Sequence, residues 1–142
     1  MDTREFIDRG TVVWNNRDRD GFLALCDENT EMTGPGGLSG RGIGFAAAFW
    51  SGWQDAFPDN HITIGTIVTE GSEGAEESVF EGTHTGVLSG PAGEIAPTHR
   101  RVSVPFVGLH TVRNDKWVSF RVYFDQVELL TQLGVMPVSA TT

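Results

Sequence analysis

The first 57 residues place apolar side chains at the spacing of an amphipathic α-helix. Three stripes share this spacing: Phe6, Gly10, Val13 and Trp14; Phe22, Leu25 and Cys26; and Ala46, Phe49, Trp50, Trp53 and Phe57. We predict that the first helix begins near Thr3, that Asp20 caps the second, and that Pro58 stops the third, because proline disfavours helical backbone in the residue before it.

From His61 onward the apolar period changes to two, which is typical of β-strands. Four segments rich in Val, Ile, Thr and Phe are separated by turn-forming residues: 61–68, 78–88, 101–112 and 117–128. A short strand is predicted at 31–33, and the segment 70–77, which holds four glutamates, is predicted to be a solvated loop. Helices followed by an antiparallel meander indicate one α+β domain over residues 1–142, with the helices packed on one face of a curved sheet.

The last two predicted strands determine which side chains share a face. A tight turn at Asn114 and Asp115 joins them, and the register that follows from it opposes Asp125 to Val104, Tyr123 to Phe106, Arg121 to Gly108 and Ser119 to His110. Because side chains alternate along a strand, the polar row of the last strand is predicted to share a face with apolar residues of its neighbour.

This mixed face has two interpretations. A row of Arg121, Tyr123 and Asp125 alone is typical of a solvated strand surface. The predicted proximity of His84 and several aromatic side chains favours a small-molecule pocket instead, in which a few polar groups converge in an apolar hollow. A single β-bulge would reverse the assignment of faces.

Composition and charge narrow the possible partners. The chain has 142 residues, of which 39% are hydrophobic and 10% aromatic, as in ordinary globular proteins. A formal net charge of −9 disfavours nucleic acid and anionic membrane surfaces. No apolar run approaches the roughly 20 residues that cross a bilayer, so we expect no membrane partner. The single cysteine, Cys26, is interpreted as a core residue, and with an N-terminus unlike a secretion signal it predicts a cytoplasmic location.

Other chemical motifs are weak. Gly40, Gly42 and Gly44 lack the spacing of a dinucleotide-binding loop. The four histidines are scattered without metal-ligand spacing, so we expect no metal and no other cofactor. The chain also has no Gly-x-Ser-x-Gly motif of a serine hydrolase.

Five segments carry a family resemblance through their order and spacing: Trp53 with Phe57-Pro58-Asp59; Glu81-Gly82-Thr83-His84-Thr85-Gly86; Arg121-Val122-Tyr123-Phe124-Asp125; Leu129-Leu130; and Gln132-Leu133-Gly134. From about residue 6 to 137, the chain resembles the SnoaL-like polyketide cyclases. The resemblance implies the cone-shaped α+β barrel of the nuclear transport factor 2-like superfamily. In that fold, N-terminal helices pack on a strongly curved, mainly antiparallel sheet and enclose a pocket, commonly in a homodimer. It also implies that Asp125 matches the acid/base aspartate of cyclases that catalyse a cofactor-free intramolecular aldol condensation.

The expected function is therefore a cyclase-like enzyme of secondary metabolism that acts on a hydrophobic polycarbonyl or polycyclic molecule. Asp125 would remove an activated α-proton, and His84, Tyr123 or Arg121 would donate a hydrogen bond to the developing oxyanion. The predicted catalytic residues are Asp125 and His84, and the predicted substrate-binding residues are Trp14, Trp50, Trp53, Phe80, Phe106, Arg121 and Tyr123.

Several alternatives stay open. The pocket could hold a hydrophobic ligand without catalysis, and ring closure could be pericyclic or epoxide-opening rather than aldol. The cavity could instead be filled, with Val118, Phe120, Val122 and Phe124 on the opposite face as a dimer interface. A related isomerase or epoxide hydrolase is disfavoured, because the only Arg-x-Asp triplet, residues 113–115, lies in a predicted turn, and Glu31 precedes a glycine-rich run.

Overall fold

The computed structural model describes residues 1–90 and 93–136. Its helices are α1 (Thr3–Asn15), α2 (Arg19–Leu23), α3 (Ile43–Ala56) and α4 (Gln126–Leu133). Its strands are β1 (Glu31–Gly34), β2 (Leu38–Arg41), β3 (His61–Glu70), β4 (Glu73–Thr83), β5 (Leu88–Gly90), β6 (Gly93–Ile95), β7 (Arg101–Arg113) and β8 (Lys116–Phe124). The predicted α+β class is confirmed.

The main sheet has six strands in the order β2-β1-β8-β7-β4-β3. The predicted antiparallel meander is confirmed for β3, β4, β7 and β8, whereas β1 pairs with β8 in parallel. The sheet is not closed, since β2 and β3 form its two edges. Strands β5 and β6 form a separate hairpin within the long connection between β4 and β7.

Local hydrogen bonds explain where the helices begin. The Asp2 carboxylate accepts from the Glu5 amide at 2.8 Å and caps α1. Asp18, not the predicted Asp20, caps α2 by accepting from the Gly21 amide at 2.9 Å. The prediction for Asp20 is wrong because the helix begins one residue before it, which places Asp20 inside the first turn. Among the described residues, no helix has the length and apolar character needed to cross a bilayer.

The helices cover one face of the sheet through two apolar clusters. The larger cluster joins α1, α2 and α3 to β7 and β8 and includes Phe6, Trp14 and Trp117. The smaller cluster joins the end of α3 to β7 and α4. Cys26 lies in the larger cluster, where burial raises the pKa of its thiol to about 12, so the structure places it as a core side chain.

Besides the end of β4, which lies at Thr83 and not at the predicted Leu88, two predicted strand boundaries are wrong. Strand β4 begins at Glu73, so the segment 70–77 is mostly strand, with a turn at Gly71 and Ser72, rather than a solvated loop. Strand β8 ends at Phe124, and the chain then turns into α4 instead of continuing as a strand to residue 128. The second change follows from Asp125, whose side chain caps the new helix.

The register between β7 and β8 shifts by one residue close to the turn. The predicted turn at Asn114 and Asp115 is present, with φ of 53° and 58°. Val112 opposes Trp117 next to this turn, but beyond it Thr111 opposes Ser119, so β8 contains one extra residue there. Phe106 therefore faces Phe124 instead of Tyr123, and the predicted register is wrong beyond the bulge.

We expect Gly86→Ala to destabilise the fold because a Cβ at this position would lie 2.0 Å from the Asp55 carbonyl oxygen, which belongs to the backbone and cannot rotate away. Urea unfolding should show that the free energy of unfolding falls by at least about 1–3 kcal/mol. Gly52→Ala is the matched control, since a Cβ there meets nothing within 4 Å, and helix α3 should gain about 0.5–1 kcal/mol. A Gly86→Ala chain as stable as the unchanged protein would contradict this packing.

Candidate active site

A cavity of about 90 Å³ lies between the helices and the inner face of the sheet. Its walls come from α1 to α4 and from β3, β4, β7 and β8. Half of the lining residues are Phe or Trp: Trp14, Phe22, Phe49, Trp53, Phe80, Phe106, Trp117, Phe120 and Phe124. Three lining residues carry polar side chains, namely Thr11, Glu76 and His110. The chemistry of the cavity therefore centres on one carboxyl group and one imidazole.

Glu76 and His110 form a buried pair across neighbouring strands. His110 Nε2 lies 2.8 Å from Glu76 Oε1, and the two side chains are 3% and 5% exposed. The Ser78 hydroxyl donates to the other carboxylate oxygen, Oε2, at 2.7 Å. Both oxygens of Glu76 are thus hydrogen-bonded, as a buried carboxylate requires.

Trp117 determines the tautomer of His110. The indole Nε1 of Trp117 lies 3.0 Å from His110 Nδ1. An indole N–H can only donate, so His110 Nδ1 accepts and carries no proton. The proton of a neutral His110 ring is then on Nε2 and is donated to Glu76. The result is a chain of hydrogen bonds that runs from Trp117 through His110 to Glu76.

Gly108 provides the space for this pair. It lies directly opposite Glu76 in the pairing of β4 with β7. A Cβ at Gly108 would come within 2.9 Å of Glu76 Oε1 and 3.1 Å of His110 Nε2. Any larger residue at this position would force the carboxylate and imidazole apart.

The structure brings four of the predicted substrate-binding residues to the cavity wall: Trp14, Trp53, Phe80 and Phe106. Trp50 is buried behind this wall, with its ring centroid 5.0 Å from those of Trp14 and Phe22. The binding roles of these five residues stay predictions.

The expectation that Arg121, Tyr123 and Asp125 face the cavity is wrong. All three are exposed, and the bulge in β8 is the reason, because a shift of one residue moves every following side chain to the other face. Asp125 Oδ1 accepts from the amides of Val127 at 2.9 Å and Glu128 at 3.2 Å, so it acts as the cap of α4.

The same shift overturns the alternative dimer interface on β8. Phe120, Val122 and Phe124 line the cavity instead of facing outward. Only Val118, in the bulged part of the strand, does not belong to this wall.

His84 is fully buried but lies outside the cavity lining. Its Nδ1 accepts from the Thr98 amide at 3.1 Å, and its ring packs against Phe57 with centroids 5.3 Å apart. Its Nε2 has no hydrogen-bond partner among the described residues. Burial lowers the pKa of His84, which favours the neutral ring.

The sequence analysis missed Glu76 and His110. Glu76 was assigned to a loop, and His110 was treated as one of four scattered histidines. A usable signal was present, because period-two alternation continues back from Phe80 through Ser78 to Glu76 and would have placed all three on one face.

In residues 1–90 and 93–136, no three His, Cys, Asp or Glu side chains are grouped closely enough to hold a metal ion. The expectation of a site without a metal or other cofactor stays a prediction.

Comparison with known proteins identifies the family. The family model described as SnoaL-like polyketide cyclase matches residues 5–133. The chain belongs to this family. The family assignment made from the sequence is therefore confirmed. None of the curated proteins compared with the chain is significantly similar to it.

Solved structures of SnoaL-like proteins share the fold. A proposed SnoaL-like polyketide cyclase from Jannaschia sp. CCS1 is 21% identical, with a TM-score of 0.83 over 95% of this chain and 93% of that chain. AclR, a proposed hydroxylase from Streptomyces galilaeus, is 21% identical, with a TM-score of 0.80 over 96% of this chain and 87% of that chain. IdmH, a proposed polyketide cyclase from Streptomyces antibioticus, is 25% identical, with a TM-score of 0.77 over 94% of this chain and 95% of that chain. The fold thus accommodates more than one reaction, and the reaction has to be argued from the site.

We expect His84 to make stability depend on pH. Because its pKa is lower in the folded chain than in the unfolded chain, the neutral ring contributes stability above the unfolded pKa, about 6.5, and this contribution is lost as the pH falls below it. His84→Asn keeps an acceptor for Thr98 but does not titrate. Urea unfolding between about pH 7 and pH 5 should show a smaller loss of stability in this variant than in the unchanged protein. Equal losses in the two proteins would contradict the assignment.

Proposed function

We propose that the chain is a cofactor-independent acid/base enzyme of the cyclase type, with Glu76 as the base. The observation that carries this proposal is the Glu76 carboxylate at the wall of a cavity whose other lining residues, apart from Thr11 and His110, are apolar. This carboxylate supports the cyclase chemistry expected from the family, with Glu76 in the catalytic role first predicted for Asp125.

The reaction we propose begins with removal of a proton that lies α to a carbonyl of the ligand. Glu76 takes this proton, and the enolate attacks a second carbonyl held in the same cavity. The proton returns from Glu76 to the new alkoxide, so the ring closure needs no outside reagent. Two flanking carbonyls acidify such a proton, and confinement of the ligand lowers the cost of bringing its ends together.

His110 and Ser78 position the base in this proposal. Their hydrogen bonds hold the two oxygens of Glu76 at 2.8 and 2.7 Å, which restricts the rotation of the carboxylate. Thr11 is the polar lining residue of α1 and could donate to an oxyanion from the helical side of the cavity.

The volume of the cavity limits the ligand. About 90 Å³ is below the roughly 300–1,000 Å³ of typical sites for drug-sized molecules. We infer that the reacting part of the ligand is a compact unit, and that a polycyclic ligand would have to extend beyond this space.

Two other functions fit less well. The Arg-x-Asp triplet expected of an epoxide-hydrolase-like site lies in the β7–β8 turn, where Asp115 accepts from the N-terminal amine at 3.1 Å. A binding protein without catalysis would use the same cavity. It differs from an enzyme in that it has no proton-abstraction rate to lose when the Glu76 charge is removed.

We expect Glu76→Gln to abolish proton abstraction because an amide cannot act as a base. The probe is 5-nitrobenzisoxazole, whose ring opens when a base removes its carbon-bound proton and whose coloured product reports the rate. The unchanged protein should exceed the rate with an equal concentration of acetate, and the variant should lose about 100-fold or more.

The matched control is Asp125→Asn, which tests the role first predicted for Asp125. Asparagine still caps α4, and the side chain is exposed, so the rate should stay within about twofold. Loss of activity in Asp125→Asn with full activity in Glu76→Gln would overturn the proposal in favour of Asp125. Thermal unfolding of both variants shows whether the fold is kept.

We also propose that the chain forms a homodimer through the outer face of its sheet. This face carries the apolar side chains of Val107 and Leu109 on the central strand β7, with Tyr123 beside them at 52% exposure. Glu77 and Arg121 lie on the strands to either side and are both exposed. A two-fold pairing can therefore bury the apolar strip and set Arg121 against Glu77 of the partner subunit.

We expect Leu109→Glu to shift the protein from dimer to monomer because it buries a carboxylate in this interface. Light scattering after size-exclusion chromatography at several concentrations measures the change in mass. The control is Val12→Glu, which adds the same charge at a 47% exposed position on α1. A monomeric unchanged protein, or equal dissociation in both variants, would contradict the proposal.

A further inference from the structure

The Glu76 carboxylate has hydrogen-bond donors but no positive partner. Ser78 is neutral, and Trp117 donates to His110 Nδ1, which leaves the Nε2 proton of the ring for Glu76. A protonated His110 would carry hydrogen on Nδ1, which would then face the indole hydrogen of Trp117 across 3.0 Å. In this arrangement His110 acts as a hydrogen-bond donor to Glu76 and not as its counter-charge.

No other basic group meets this carboxylate in the part of the chain that the structure describes. In the described ranges, the basic side chain within ion-pair distance of Glu76 is that of His110, whose Nε2 lies 2.8 Å from Oε1. The lining residues of the cavity include no lysine and no arginine within the described ranges. An ionised carboxylate in such an environment is costly unless a cation pairs with it.

The walls around the carboxylate suit a cation. The Phe120 ring lies 4.9 Å from that of His110 and 5.7 Å from that of Trp117, measured between centroids. Phe120 Cε1 and Glu76 Oε1 are both within 3.0 Å of the position of a Cβ on Gly108, so ring and carboxylate are close neighbours. Aromatic faces attract ammonium groups, most strongly where water is excluded.

We propose that this cavity binds a small organic cation, an amine or a quaternary ammonium group, with Glu76 as its counter-ion. The inference rests on the same cavity as the proposed function but not on the proposed reaction, and it adds a positive charge to the ligand class. A volume of about 90 Å³ favours a compact ammonium group over an extended polyamine.

The test compares choline with 3,3-dimethylbutan-1-ol, in which a carbon replaces the charged nitrogen and the shape is kept. Calorimetric titration of the unchanged protein should show at least about tenfold tighter binding of choline. In Glu76→Gln this preference should disappear, while binding of the neutral alcohol is kept or improved. Glu70→Gln removes one charge from an exposed position and should keep the preference.

A second variant keeps the proposal testable if Glu76→Gln does not fold. Phe120→Leu leaves the cavity apolar but removes the ring beside the carboxylate, so it should weaken the binding of choline more than the binding of the alcohol. The proposal would be overturned if the unchanged protein bound the two probes with equal affinity or did not bind choline. It would also be overturned if Glu70→Gln reduced the preference for choline as much as Glu76→Gln does. Ring opening of 5-nitrobenzisoxazole is measured separately, so failure of cation binding and failure of the proposed reaction can be told apart.

Discussion

One extra residue in β8 sets the arrangement of the cavity wall. The pairing of Val112 with Trp117 is followed by that of Thr111 with Ser119, so Val118 has no partner of its own. The backbone of Trp117 is held from outside the β7–β8 hairpin, since its amide donates to the Leu25 carbonyl at 2.8 Å and its carbonyl accepts from the Thr30 hydroxyl at 2.7 Å. Beyond this point Phe120, Val122 and Phe124 face the cavity, whereas Arg121 and Tyr123 face solvent.

The inward position of Trp117 connects the fold to the chemistry of the site. The same indole that packs under α1, with its Cζ2 3.2 Å from the position of a Cβ on Gly10, donates to His110. His110 then donates to Glu76, and Gly108 leaves room for both. Each polar group from Trp117 through His110 to Glu76 is hydrogen-bonded, yet the cavity lining includes no lysine or arginine within the described ranges. The Glu76 carboxylate at the wall of this cavity is the group on which both proposals rest.

The family relationship and the site answer different questions. The match over residues 5–133 and the shared fold establish what kind of scaffold the chain forms. Solved structures with this scaffold include a proposed hydroxylase as well as proposed cyclases, so the scaffold alone does not determine the reaction. Asp125, the acid/base residue implied by the resemblance, shows the difference, because its side chain caps α4 and does not line the cavity.

The sequence by itself determined the features that depend on local pattern. Apolar periodicity placed α1, α3 and the meander, and aromatic residues at helical and strand spacing identified Trp14, Trp53, Phe80 and Phe106, all of which reach the cavity wall. The turn at Asn114 and Asp115 was also accessible, since these residues tolerate positive φ. Such features need only near neighbours along the chain.

Only the tertiary structure decided which face of β8 is inside and which carboxylate is buried. Trp117, which precedes the bulge, is hydrogen-bonded through its backbone to Leu25 and Thr30, and both are distant from it in sequence. The burial of Glu76 depends on a glycine and a histidine of another strand, so the alternation that continues back to Glu76 indicates its face of the strand but not its burial. Strand alternation has a period of two, and a single residue displaced by distant contacts therefore exchanges the inner and outer faces without changing the local pattern.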